Sequence, residues 1–120
     1  MFQSSALSSL GRHRLEIEKT MIKLTVLYGH PTSPEAFEKY YAATHMPLVD
    51  KMSGFIRTEK AKIVGTPGGG EPAFYRMFEF WFENEDALGR TMGSPEGKAA
   101  VNDLPKFASG GVTVLISAVE

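Results

Sequence analysis

Ala73-Phe74-Tyr75-Arg76-Met77-Phe78-Glu79-Phe80-Trp81-Phe82 is the stretch that decides the fold. It carries no Gly or Pro and is dense in aromatic residues, so it reads as a β-strand. Successive side chains of a strand point to opposite faces. Phe74, Phe78, Phe80 and Phe82 share one parity, and Tyr75, Met77 and Trp81 share the other. A strand with one wet side alternates apolar with polar. This one does not, so both of its faces are expected to be covered.

Working outward, Ile22-Lys23-Leu24-Thr25-Val26-Leu27-Tyr28 alternates and is rich in β-formers, which predicts a first strand. Ser33 stands as an N-cap before Pro34 and Glu35, predicting a helix from Pro34 to about His45. Phe37, Tyr40, Tyr41, Thr44 and Leu48 lie on one face of it at helical spacing, and Pro47 predicts its end near Met46. Phe55 to Val64 predicts a strand with one wet face, joined by the Gly-rich loop 65–70 to the decisive strand. Asn84 and Ser94 open two further helical pieces, the second running to about Asn102. After Gly110-Gly111, Val112 to Val119 predicts the last strand.

The order β-α-β-β-α-β is the split βαβ arrangement. The fold class is therefore α+β: a ferredoxin-like βαββαβ with a four-stranded antiparallel sheet. Its helices cover one face only, and no element remains for the other. A second copy is the natural cover, with two-fold symmetry as the default, so the chain is expected to form a homodimer whose sheets close a dimeric α-β barrel.

The 120 residues correspond to one domain. With 13 Lys+Arg against 14 Asp+Glu there is no basic stripe, which argues against nucleic acid. No apolar run approaches the roughly 20 residues that span a bilayer, so no membrane partner is expected. The sequence has no cysteine, which removes thiolate chemistry and fits a cytoplasmic protein. Residues 1–20 are Ser-rich at first, then carry Arg12, His13 and Arg14; Glu16 and Glu18 weigh against a transit peptide. They read as a flexible N-terminal leader, with the domain spanning 21–120 and a second methionine, Met21, at its start.

His45 is the leading candidate for chemistry, because imidazole moves protons near neutral pH. Tyr41 precedes it by four residues and shares its helix face. The bland account is that His45 caps the helix C-terminus. Glu79, flanked by Phe78 and Phe80, must be paired or hold a raised pKa; parity favours Arg57, or a Lys on a neighbouring strand, as its partner over Arg76. Tyr28, Phe37 and Trp81, with the other tyrosines, could wall a flat apolar pocket for a small apolar or aromatic ligand. His30 and His45 lie in different elements and no His-x-x-x-His pair occurs, so no metal is expected.

Phe37-x-x-Tyr40-Tyr41-x-x-x-His45-x-Pro47-Leu48 resembles the His-x-Pro-Leu signature of the EthD family. Glu79-Phe80-Trp81-Phe82, Ser94-Pro95-Glu96-Gly97, Asp103-Leu104-Pro105-Lys106-Phe107 and Gly110-Gly111-Val112 are similar to its later motifs. The resemblance spans about residues 21–119. It implies a dimeric α-β barrel and kinship with polyketide cyclases, muconolactone isomerase and haem-handling monooxygenases. It also implies association with ethyl tert-butyl ether degradation. It matches His45 to the family's most characteristic polar position, with Asp103 and Phe107 as further matches that could serve packing.

Three functions are compatible with these residues. One is a cofactor-independent enzyme acting on an apolar carbonyl compound, with His45 as general acid or base, Tyr41 or Tyr28 orienting the substrate oxygen and Glu79 relaying or tuning a proton. Cyclisation, isomerisation, dehydration or decarboxylation would use such parts. The second is an accessory protein that binds a hydrophobic catabolite without chemistry. The third is a haem-linked monooxygenase with His30 or His45 as axial ligand.

Overall fold

The structure, a computed structural model, describes residues 20–120; the reading of a flexible leader falls, apart from Thr20, outside the described residues. The elements run β1 (Ile22–Tyr28), α1 (Pro34–Tyr40), a π-turn (Tyr41–His45), α2 (Met46–Asp50), β2 (Arg57–Lys62), β3 (Arg76–Phe82), α3 (Glu85–Gly93), α4 (Pro95–Asp103), a 3-10 turn (Leu104–Lys106) and β4 (Val112–Ala118). The four strands pair antiparallel in the order β2-β3-β1-β4. This is the α+β, ferredoxin-like arrangement that the strand and helix order implies. The outer strand β2 covers only the centre of the expected Phe55–Val64 run, and β3 begins at Arg76 rather than Ala73.

The helix starts follow their local chemistry. The side chains of Ser33, Asn84 and Ser94 each accept a backbone N–H three residues on, from Ala36 at 3.3 Å, Ala87 at 2.9 Å and Gly97 at 3.1 Å. These bonds satisfy donors that a helix start leaves orphaned. Where the β1–α1 and α4–β4 connections meet, a Cβ on Gly29 would lie 2.1 Å from the Gly110 carbonyl oxygen. Only glycine allows the two backbones to approach that closely.

Sheet register defines the two faces. Leu24 sits between Phe80 and Ile116, and Val26 between Phe78 and Val114, on the helix side. Thr25 sits between Glu79 and Leu115 on the opposite side. The core lies between sheet and helices: Ile22, Leu24, Tyr28, Phe37, Tyr41, Val49, Phe78, Phe80, Phe82 and Phe107 are all buried there. At about 25 cal/mol per Å² of apolar surface, each such ring contributes on the order of 2–3 kcal/mol.

The first helical segment differs from its sequence reading. It does not stop near Met46 but continues to Asp50 through the π-turn, in which Met46 N–H bonds to the Tyr41 carbonyl. Pro47 then falls in the first turn of α2, where its missing N–H costs nothing. The wider turn advances the buried stripe by one residue. Thr44, expected to face inward, is exposed, and His45 and Val49 are buried instead. His45 is thus not a C-terminal cap; it lies inside a continuous helical segment with its ring in the core.

Candidate functional site

A cavity of about 260 Å³ lies between the sheet and the helices. The sheet contributes Leu24, Val26, Tyr28, Phe78, Phe80 and Val114 to its wall. The helical side adds Met46, Val49, Met52, Met92, Ala100, Val101 and Leu104, together with His45. His45 is the one wall residue whose ordinary pKa lies near neutrality. Such a wall accepts apolar matter readily and offers no cation to a carboxylate or phosphate.

The π-turn delivers His45 to this wall, and α4 brings its partner. Asp103, the last residue of α4, accepts a hydrogen bond on Oδ2 from His45 Nδ1 at 3.0 Å. Its Oδ1 accepts the Tyr40 hydroxyl at 2.7 Å and lies 4.0 Å from the exposed Lys106 ammonium. Both residues of the dyad are buried, with side-chain exposures of 4% and 5%. Burial holds the His45 pKa below its ordinary value, and Asp103 recovers only part of that shift. Burial pushes Asp103 up, but the hydrogen bonds from Tyr40 and His45 outweigh it and leave the carboxyl below its usual range. The pair therefore rests as a carboxylate beside a neutral imidazole near neutral pH. Nδ1 carries the proton toward Asp103, which leaves Nε2 as the basic ring nitrogen of a side chain that forms part of the cavity wall.

Aromatic rings fix this geometry. The Phe107 centroid lies 4.6 Å from the His45 ring and 5.2 Å from Tyr40, which it stacks at 18°. Tyr41 stacks on His45 at 6.0 Å and lies 6.0 Å from Phe107, so the three rings form one cluster. Its hydroxyl is buried and has no hydrogen-bond partner among the described residues. Arg76 lies over the Tyr41 ring at 4.8 Å and forms a two-point pair with Glu38, Nη2 to Oε1 at 2.5 Å and Nε to Oε2 at 3.1 Å. Burial drives the phenols of Tyr28 and Tyr41 far above the ordinary tyrosine range, so both stay protonated donors.

The residues singled out from sequence separate into three places. His45 and Tyr28 line the cavity. Tyr41 and Phe37 form the aromatic layer behind it, stacked on each other at 5.3 Å, with Phe37 edge-on to Tyr28 at 5.4 Å. Glu79 and Trp81 face the other side of the sheet. Glu79 pairs with Lys23 at 3.1 Å and accepts from Thr25 at 3.0 Å, so the neighbouring-strand lysine is its partner. Arg57 lies over Trp81 at 3.7 Å. The structure thus does not bring Glu79 or Trp81 to His45. His30 is elsewhere too, its Nε2 2.7 Å from the Pro72 carbonyl. No cluster of three or more His, Cys, Asp or Glu that could hold a metal occurs among the described residues.

Asp103 and Tyr40 are the members that a reading for chemistry passes over. Asp103 carried a signal nonetheless. An acid in the last turn of a helix opposes the macrodipole, and such a placement asks for a compensating partner.

A ferredoxin-like domain with an acid-supported histidine facing an apolar cavity is the class of protein these features define. The EthD domain model matches residues 29–111. The chain is 36% identical over 97 residues to an uncharacterised 11.0 kDa protein from the thcB-thcC intergenic region of Rhodococcus erythropolis, covering 81% of this chain and 93% of that one. It is similar to the crystal structure of an EthD family protein from Bacillus halodurans C-125, with TM-score 0.77 and 37% identity over 83% of this chain and 99% of that one. The chain belongs to the EthD family. The fold alone extends further, to a hydroxynitrile lyase from Passiflora edulis, a cofactor-independent oxygenase (SnoaB) from Streptomyces nogalater and a dimeric ferredoxin-like protein from Thermobifida fusca. These are 12–14% identical with TM-scores of 0.57–0.67, covering 85–86% of this chain and 94–95% of theirs. No helix among the described residues is long and apolar enough to cross a membrane.

Proposed function

We propose that this protein is a cofactor-independent proton-transfer enzyme of small-molecule catabolism, a cytoplasmic homodimer acting on an uncharged, apolar compound that bears a carbonyl. The observation that carries this reading is the 3.0 Å bond from His45 Nδ1 to Asp103 Oδ2 on a ring that lines an apolar cavity. A buried carboxylate on one imidazole nitrogen fixes the tautomer and supports positive charge on the ring when the other nitrogen takes a proton. His45 Nε2 removes a proton from carbon next to the carbonyl. The C–H electron pair moves into the enolate, and the Tyr28 hydroxyl hydrogen-bonds the oxygen that gains charge. Return of the proton from His45 Nε2 to another carbon of the conjugated enolate completes an isomerisation; in a cyclisation the enolate carbon attacks a second carbonyl, whose oxygen takes that proton back from Nε2.

Tyr41 supports His45 by stacking, and Phe37 supports Tyr41 and Tyr28 in turn. Glu79 and Trp81, on the other sheet face, serve the surface that a second copy would cover. The fold-level likeness to a lyase and a cofactor-independent oxygenase is consistent with catalysis without a bound group.

The test is turnover of apolar ketones and enones by the unmodified protein, His45→Gln and Asp103→Asn. General acid–base catalysis predicts a loss of about 10²- to 10⁴-fold for His45→Gln. Ligand stabilisation that is equal in all three proteins, with no product formed, would mark a binding protein instead. A Soret band gained with added haem would mark the monooxygenase reading.

A further inference from the structure

We propose that Tyr40 is a positioning residue of this site: its hydroxyl holds the Asp103 carboxylate in the orientation that presents Oδ2 to His45, and the π-turn is what lets one acid serve both residues. The inference rests on the reading of His45 as the base, and deepens it.

In an α-helix a residue five positions on lies roughly 140° around the axis, at 3.6 residues per turn. Tyr40 and His45 would then face different directions. The i→i+5 closure of a π-turn instead places the fifth residue about one turn above the first. The turn Tyr41–His45 follows Tyr40 directly, and both side chains reach Asp103, at 2.7 Å and 3.0 Å. The two bonds engage different oxygens. A carboxylate otherwise rotates broadly about its last torsion; held at Oδ1 by the phenol, it offers Oδ2 to the imidazole and nothing else. Tyr40 is itself held, stacked on Phe107 at 5.2 Å, and Phe107 also packs on His45 at 4.6 Å. A regular helix with the same residues would lose this shared acceptor.

The charged and titratable groups around the pair are few. Asp103 comes from α4, and Lys106 follows it at 4.0 Å from Oδ1. Tyr40 and Tyr41 come from the helical segment of His45, while Tyr28 and Arg76 come from the sheet, the latter across the Tyr41 ring. Among the described residues, Tyr40 and His45 are the two that donate hydrogen bonds to Asp103.

The experiment is NMR titration of the His45 ring nitrogens in the full chain, which needs no substrate. Removing the phenol donor leaves a more basic carboxylate that draws the imidazole proton more strongly. Tyr40→Phe keeps the ring stacked on Phe107, so the His45 midpoint should rise by about half a unit to one unit. Asp103→Asn should lower the midpoint, and Tyr40→Phe added to Asp103→Asn should produce no further shift. Should Tyr40→Phe not fold, 3-fluorotyrosine at position 40 keeps the ring and strengthens the donor, and the midpoint should then fall. An unchanged midpoint and tautomer in a folded Tyr40→Phe variant, or an equal shift in the Asp103→Asn background, overturns the proposal. The proton-transfer reading fails separately: a His45→Gln variant with undiminished turnover ends it while leaving the Tyr40 coupling intact.

Discussion

On the helix side of β3, Phe78, Phe80 and Phe82 are buried under helices and around a cavity; on the other side, Glu79 and Trp81 are buried under the long side chains of Lys23 and Arg57. Both faces hold an acid paired with a base, yet the two pairs live differently. His45–Asp103 is enclosed by packed elements, with neither side chain above 5% exposure. Lys23–Glu79 is covered by the pair itself, and Lys23 stays 31% exposed. Rigid cover removes water, and removing water is what moves the pKa of a histidine. Cover by flexible cations leaves charge solvated and can move aside. The same face also leaves Leu115 51% exposed. In the proposed function the enclosed face is the one that holds chemistry, and the open face is the one a second copy would cover.

That contrast is broken most sharply by putting a charge on each face. Phe80→Lys places an ammonium in the core without a partner, and should cost on the order of 4 kcal/mol or more, enough to unfold the chain. Trp81→Lys should cost less within one chain, because its ammonium can reach water. In sedimentation it should convert a micromolar dimer of the unmodified protein to monomer. A monomeric unmodified protein would remove the role given to the open face.

A smaller effect sharpens the contrast through pH. Burial holds His45 below its ordinary 6.5 and hydrogen bonding holds Asp103 below 3.8. In both cases the unfolded chain binds a proton that the folded chain refuses, so stability rises with pH across the window below those values. Denaturation midpoints should therefore climb from acid pH to about 6.5 and then level. His45→Gln should flatten the climb near its upper end, and a curve unchanged by that substitution would deny the buried, neutral imidazole.

The smallest effect belongs to the open face. Glu79→Gln keeps shape and the Thr25 bond but removes the charge facing Lys23. Because that pair is partly solvated, the change should cost about 1 kcal/mol or less in urea denaturation, and should leave turnover intact. Lost turnover would return Glu79 to the proton path.

Helix starts at Ser33, Asn84 and Ser94 were legible because a cap is a bond between residues three apart. The two faces of β3 were legible from parity, which separates Phe80 from Trp81 whatever the neighbours. The same parity puts Glu79 with Trp81, but nothing in a strand says which parity meets the helices, so the sequence alone does not place Glu79 on the face opposite His45. The π-turn left no mark in the residue types. A helix read at 3.6 residues per turn therefore turned Thr44 inward and gave Pro47 the role of a stop.

Local spacing by itself determined the strands, the helix starts and the α+β order, since each depends on residues close along the chain. Only the tertiary structure decided that His45 meets Asp103, 58 residues away, and that a one-residue shift in the helix turns it toward the cavity. Hydrogen bonds between distant elements are set by how those elements pack.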